Sequence, residues 1–178
     1  IELQLPILQP TNLKSADFIN ELKSLNADIQ IVIAFRMLPE IVWNMPPLGT
    51  FNLHASYLPN YRGAAPINWA IINGEKQTGV TTFFLKHEID TGDLILREKT
   101  EILPHETVGE LYERLMNQGA ELVCKSLDLI CSGNIQLTRG GEQVVVGKPF
   151  ERSKLYRGMR SVSHPTWFVK KQVYQRTG

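Results

Sequence analysis

The chain has 178 residues, a formal net charge of +1, 43% hydrophobic and 21% charged residues, which suits one domain, or one domain with a short appendage, and a core that needs no staples. So small a net charge excludes an overall field strong enough to draw in nucleic acid or anionic membrane. No run reaches the roughly 18 apolar residues of a membrane span and no basic-then-apolar leader opens the chain, so a cytoplasmic protein with no membrane partner is expected.

Ile1 to Pro10, interrupted by Pro6 and Pro10, reads as an extended connector. Thr11 to Asn26 predicts a helix, with Asn12 or Ser15 as cap and Phe18, Ile19, Leu22 and Leu25 at helical spacing. Ile29 to Phe35 is a β-branched apolar run, the pattern of a strand covered on both faces. Leu38 to Trp43 is a short helix ended by Pro46, Pro47 and Gly49, and Thr50 to His54 a short strand. Ala64 to Asn73 is helical, with Pro66 in its first turn. Gly79 to Leu85 and Gly92 to Lys99 are strands. Thr107 to Ile130 is a long amphipathic helix, and Thr107 with Glu110 forms a capping box. Beyond it the pattern weakens, with a hairpin over Gln136–Gly141 and Val144–Gly147 and a short helix over Ser153–Arg160. Strands interleaved with helices argue an α/β layer fold.

Charge is uneven along the chain. Thr138 to Gly178 carries nine basic and two acidic residues, against ten and sixteen in the rest, so this tail is either an RNA-touching segment or a solvated surface with a sign bias. Cys124 and Cys131 lack nearby His ligands and read as reduced thiols rather than a metal site.

The densest polar cluster is Asn52, His54, Ser56, Asn60, Tyr61 and Arg62. Asn52 and His54 are two apart on the predicted strand and so share a face. His54 stands at its carboxyl end, where open α/β sheets bind ligands. A structural His bonded in the core is the competing reading. Asp90-Thr91-Gly92-Asp93 is a turn signal, in which Asp90 is either a turn acid or a carboxylate that orients His54 and accepts a proton. Ala34 to Pro39, at another strand end, offers backbone groups and apolar walls for a flat heterocycle, or ordinary packing. The sequence has no Gly-rich phosphate loop and no metal cluster.

The run Asn52-Leu53-His54-Ala55-Ser56-Tyr57-Leu58-Pro59-Asn60-Tyr61-Arg62-Gly63-Ala64-Ala65-Pro66 resembles the signature loop of folate-dependent formyltransferases. Its Arg-Gly-Ala-Ala-Pro portion is the form seen in those acting on methionyl-tRNA. The likeness continues through Gly74, Thr78-Gly79-Val80 and Asp90-Thr91-Gly92-Asp93, and is close from about Ile7 to Asn134. It implies a Rossmann-like α/β formyltransferase fold, a mostly parallel sheet flanked by helices. Residues 1–135 would be the catalytic domain without its first strand or strands, and 136–178 a linker or the start of a C-terminal region. The resemblance further implies 10-formyltetrahydrofolate as co-substrate, initiator methionyl-tRNA as acceptor, no metal, and a monomer.

By the same resemblance, Asn52, His54 and Asp90 are the catalytic trio. Phe35, Arg36, Met37 and Leu38, with Ser56, Leu58 and Pro59 and with Ile89, Thr91, Gly92 and Asp93, would face the folate. Tyr61, Arg62 and Gly63 would meet the acceptor. Two other readings are open. One is a formyltransferase acting on a nucleotide-linked amino sugar, which shares the trio. The other is a non-catalytic folate- or RNA-binding module, whose mark would be a broken trio, and here Asn52, His54 and Asp90 are all present.

Overall fold

The structure, a computed structural model, describes residues 7–33, 37–87, 92–133, 135–139, 142–145, 159–162 and 166–169, by backbone alone from Thr138 onward. In chain order the elements are β1 (Ile7–Leu8), α1 (Ala16–Ser24), β2 (Ile29–Ile33), α2 (Glu40–Trp43), β3 (Thr50–His54), α3 (Pro66–Ile72), β4 (Gln77–Phe84), β5 (Leu94–Glu101), α4 (Val108–Ser132), β6 (Gln136–Arg139), β7 (Glu142–Val145), β8 (Met159–Val162) and β9 (Thr166–Val169). They fall into two compact units, Ile1–Asn52 with Glu151–Gly178, and Leu53–Phe150.

In the first unit the Ser15 side chain caps α1 by accepting from the Phe18 amide. Phe18, Leu22 and Leu25 are buried at the predicted spacing, each worth about 1.5–3 kcal/mol relative to an exposed position. β2 is buried along almost its whole length, as its apolar run requires. Toward β3, the Leu48 amide donates to Asp28 at 2.9 Å and the Gln30 amide to Gly49 at 3.2 Å. Both segments advance together, in the parallel sense. On its other side β2 pairs antiparallel with β9, Ile29 opposite Val169 and Val32 opposite Thr166. β9 in turn pairs antiparallel with β8, and β8 parallel with β1. The short helix expected over 153–160 is therefore corrected where it is described: Met159 and Arg160 lie in β8, and residues 153–158 fall outside the described residues. An unpaired edge of a buried strand such as β2 needs hydrogen-bond partners. The run Thr166-Trp167-Phe168-Val169 supplies them, and β9 in turn pairs Val169 with Met159 and Phe168 with Arg160, a ladder that outweighs a weak helical propensity at those two residues.

The second unit is built on the antiparallel pair β4 and β5, Gln77 opposite Glu101 through Thr82 opposite Leu96. The register then slips so that Phe83 faces Leu94, a bulge with Ile95 as the extra residue, where a strand bends and its side chains are re-aimed. Helix α4 covers this pair. Its Thr107–Glu110 capping box is present, and Gly133 ends it in the left-handed region at φ 70°. Leu111, Leu115 and Leu122 of α4 form a core with Ile67 of α3 and Val80 of β4, against which Leu53, Ile71 and Leu96 pack. Gly119 stands where a Cβ would come within 2.8 Å of the Leu53 Cδ2, so the missing side chain lets α4 lie close to the end of β3. The expected hairpin is present as β6 and β7, Gln136 opposite Val145 and Arg139 opposite Glu142. Residues 140, 141, 146 and 147 lie outside the described residues.

The α/β class expected from the sequence is the observed one, and its sheet is mixed: antiparallel ladders accompany the parallel ones. Among the described residues no helix is long and apolar enough to cross a membrane.

Candidate active site

The alternation of β3 puts Thr50, Asn52 and His54 on one face. At its start, the Thr50 hydroxyl donates to the Trp43 carbonyl. That uses its single proton, so its 3.4 Å contact with the buried Gln30 amide is the weaker one. Further along, Asn52 is half-buried and its Oδ1 is buried with no hydrogen-bond partner among the described residues. Leaving such an atom unmet costs about 1–3 kcal/mol, a cost that a bound polar group would relieve.

His54 closes the strand, 8% exposed. Its Nε2 lies 2.8 Å from the Tyr61 carbonyl oxygen. A carbonyl only accepts, so Nε2 carries a proton, which sets the tautomer of the neutral ring. Tyr61 reaches this position with φ 56°, a left-handed conformation costing roughly 1–2 kcal/mol for a residue with a side chain. Its phenol donates to the Glu75 carboxylate and accepts from Asn73 Nδ2 at 3.1 Å. The hydrogen bond to Glu75 raises the Tyr61 pKa, partly opposed by that from Asn73.

The loop between His54 and Tyr61 is tied down at nearly every residue. Ser56, wholly buried, donates its hydroxyl to the Asn60 carbonyl at 2.7 Å. Thr81 of β4 donates to the Ser56 carbonyl at 2.7 Å and accepts from the Leu58 amide at 3.1 Å. Arg97 of β5 donates to the Leu58 carbonyl at 3.0 Å, and its guanidinium lies 4.6 Å over the Tyr57 ring, with the Lys99 ammonium at 4.9 Å. The Leu58–Pro59 peptide bond is cis. Leu58 is buried, while Pro59, Arg62 and Gly63 are exposed.

A second loop leaves β4 and returns to β5. Its stem is closed by the Phe84 amide donating to the Asp93 carbonyl at 3.0 Å. The Lys86 ammonium also reaches the buried Asp93 carboxylate at 2.9 Å. A Cβ on Gly92 would overlap the Phe84 carbonyl oxygen, so only glycine fits there. Ile89, Asp90 and Thr91, like Phe35 and Arg36, lie outside the described residues. Met37 is 75% exposed and Leu38 is buried.

The structure thus brings Asn52 and His54 onto one strand face, and gathers Ser56, Leu58 and Tyr61 in one clamped loop. Sequence reasoning missed the residues that do the clamping: Thr81, Arg97, Asn73 and Glu75. Thr81 sits mid-strand, where threonine is expected for its β-propensity alone, so no signal distinguished it. Arg97 alternates with Lys99 on a strand face, and that pair opposite an aromatic loop was the one available hint.

Residues 2–127 match the family described as Formyl transferase. The methionyl-tRNA formyltransferase of Flavobacterium johnsoniae is 63% identical over 134 residues, which are 75% of this chain and 42% of that protein. That of Bacteroides fragilis is 52% identical over 157 residues, 88% of this chain and 48% of that one. The chain spans about half the length of the curated relatives it matches. Among solved structures, the formyltransferase PseJ from Anoxybacillus kamchatkensis, in complex with UDP-4,6-dideoxy-4-formamido-L-AltNAc and tetrahydrofolate, is similar with a TM-score of 0.60 and 27% identity, over 78% of this chain and 69% of that one. Glycinamide ribonucleotide transformylase 1 from Symbiobacterium toebii has a TM-score of 0.63 at 22% identity, over 73% of this chain and 61% of that one, a likeness of fold alone. With the match extending over most of its length, the chain belongs to the formyl transferase family.

Proposed function

We propose that residues 1–135 carry formyl transfer from 10-formyltetrahydrofolate to the amino group of initiator methionyl-tRNA, in the cytoplasm, with Asn52, His54 and Asp90 as the catalytic trio. The observation that carries the reading is His54 at the carboxyl end of β3, its tautomer set by the Tyr61 carbonyl, two residues from an Asn52 whose buried amide oxygen lacks a partner among the described residues. The names and identities of the relatives support the acceptor. The folate-facing and acceptor-facing residues expected from the resemblance belong to the same proposal.

The unmet Asn52 amide fits a co-substrate with a polar carbonyl, since an amide presents either its oxygen or, turned about, its NH₂ at that position. Bound, the folate supplies the formyl group on its N10. As the amine attacks the formyl carbon and the bond to N10 breaks, negative charge develops on the formyl oxygen. Asn52 donates to that oxygen, and so does the protonated His54. Such donors are worth about 2.7–4 kcal/mol each. Asp90, directly or through a water, takes the proton that the amine loses. A proton is returned to N10, so the products are a formamide and the reduced folate.

The test is transfer by the full-length protein from 10-formyltetrahydrofolate to methionyl-tRNA and, separately, to UDP-linked amino sugars. Formyl-methionyl-tRNA is the expected product. Transfer to the sugar alone would overturn the acceptor and keep the chemistry, and transfer to neither would overturn the reading.

A further inference from the structure

We infer that the Asn73-Gly74-Glu75 turn at the end of α3 is a positioning element for His54, acting through Tyr61; the inference rests on the catalytic role proposed for His54. Two hydrogen bonds in series make the connection. His54 Nε2 donates to the Tyr61 carbonyl at 2.8 Å, and the Tyr61 phenol is held between the Glu75 carboxylate and the Asn73 amide. What joins the two is the backbone of Tyr61. Its φ of 56° is the conformation that aims the carbonyl at His54, and it is one that an aromatic L-residue leaves unless something restrains it. The phenol's two bonds are that restraint. Removing them lets Tyr61 relax, and the carbonyl then turns away from Nε2.

The turn is itself fixed. The Asn73 amide donates to Trp69 at 3.0 Å, Gly74 to Ile71 at 2.9 Å and Glu75 to Ala70 at 3.0 Å, which continue α3 into a tight close. Gly74 has φ 67° and open space where a Cβ would stand. Backbone conformation alone therefore calls for glycine there, and that conformation lets the side chains on either side meet one phenol. Helix α3 packs through Ile67 into the core of the same unit, so the chain of support runs from a packed helix to the imidazole. Both phenol bonds are exposed, so water competes for them and the effect is a graded one.

The experiment is ¹⁵N NMR of the His54 ring in the full-length protein, which needs no turnover, alongside formyl-transfer kinetics. The wild type should show the Nε2–H tautomer with a slowly exchanging ring proton. Tyr61→Phe, and the double variant Asn73→Ala with Glu75→Ala, should mix the tautomers and speed that exchange. The same variants should lower kcat by about three- to tenfold, a part of what a positioned acid–base group contributes, with KM for the folate within about twofold. Glu75→Gln should restore both readouts, because its amide oxygen still accepts from the phenol. Unchanged tautomer and kcat in Tyr61→Phe would overturn the inference, as would a Glu75→Gln no better than Glu75→Ala. A tautomer change in a protein that transfers no formyl group to any acceptor would sustain the positioning and sink the proposed function instead.

Discussion

Thr81 and Thr82 are consecutive residues of β4, chemically identical and both wholly buried, yet they serve different parts of the molecule. The strand's alternation sends Thr81 to the His54–Tyr61 loop, where its hydroxyl bonds the Ser56 carbonyl and the Leu58 amide. Thr82 points the opposite way. Ser126 of α4 gives its proton to the Leu122 carbonyl at 2.8 Å, so the 2.7 Å contact between the two hydroxyls has Thr82 as donor, while Thr82 also accepts from the Leu96 amide at 3.2 Å. One hydroxyl shapes the site and the other fastens the helix to the sheet. Neither burial nor residue type separates the two roles; only the partner does.

The comparison can be broken at its functional end first. His54→Ala should reduce formyl transfer by about 10²–10³-fold with folate affinity kept, the loss expected when one donor to a developing oxyanion is removed. Turnover within a few-fold of wild type would leave the loop a structural feature and Thr81 no different from Thr82. Thr81→Val, nearly isosteric, strands a buried carbonyl and a buried amide. It should cost about 2–3 kcal/mol in denaturant unfolding and lower kcat by about tenfold as the loop loosens. Thr82→Val should cost about 1–2 kcal/mol while leaving the rate within twofold. If both variants lower kcat alike, the division of labour is wrong.

A smaller effect sharpens the scaffold side. Arg114, bonded to Glu106 at 2.6 Å, holds the Glu106 carboxyl below its usual range. The folded state thus favours the carboxylate, and the stability it adds is present above the ordinary Glu pKa of about 4.3 and lost as pH falls through the lower folded value. A melting series between about pH 6 and pH 3 should show a steeper acid loss in the native protein than in Glu106→Gln, with no change at neutral pH in the His54 ring spectrum.

Where local rules act alone, the sequence is readable. Ser15 and the Thr107–Glu110 pair announce helix starts by their own chemistry and stand where expected. The strand Thr50–His54 follows from a short apolar and polar alternation before a loop rich in Pro and Gly. Asn52 and His54 can be placed on one face because the side-chain period of a strand is fixed. Less legible is anything that depends on a distant partner. The Tyr61 φ of 56° belongs to no propensity of tyrosine and arises from contacts twelve to fourteen residues away. The strand at Met159–Val162 reads as helix at its start because its pairing partner cannot be seen from its own residues.

The stem of the second loop has a consequence for how such a protein changes over evolutionary time. Phe84 and Asp93 close it by a backbone bond, Lys86 braces the Asp93 carboxylate, and Gly92 fits against the Phe84 carbonyl. All of these contacts are made by residues 84–86 and 92–93, at and just beyond the facing ends of β4 and β5. The pairing of β4 with β5 thus has supports of its own outside 88–91, in the ladder and in these flanking residues. A change of sequence at 88–91 leaves these supports of the strand ends in place, as a socket outlasts the tool it holds.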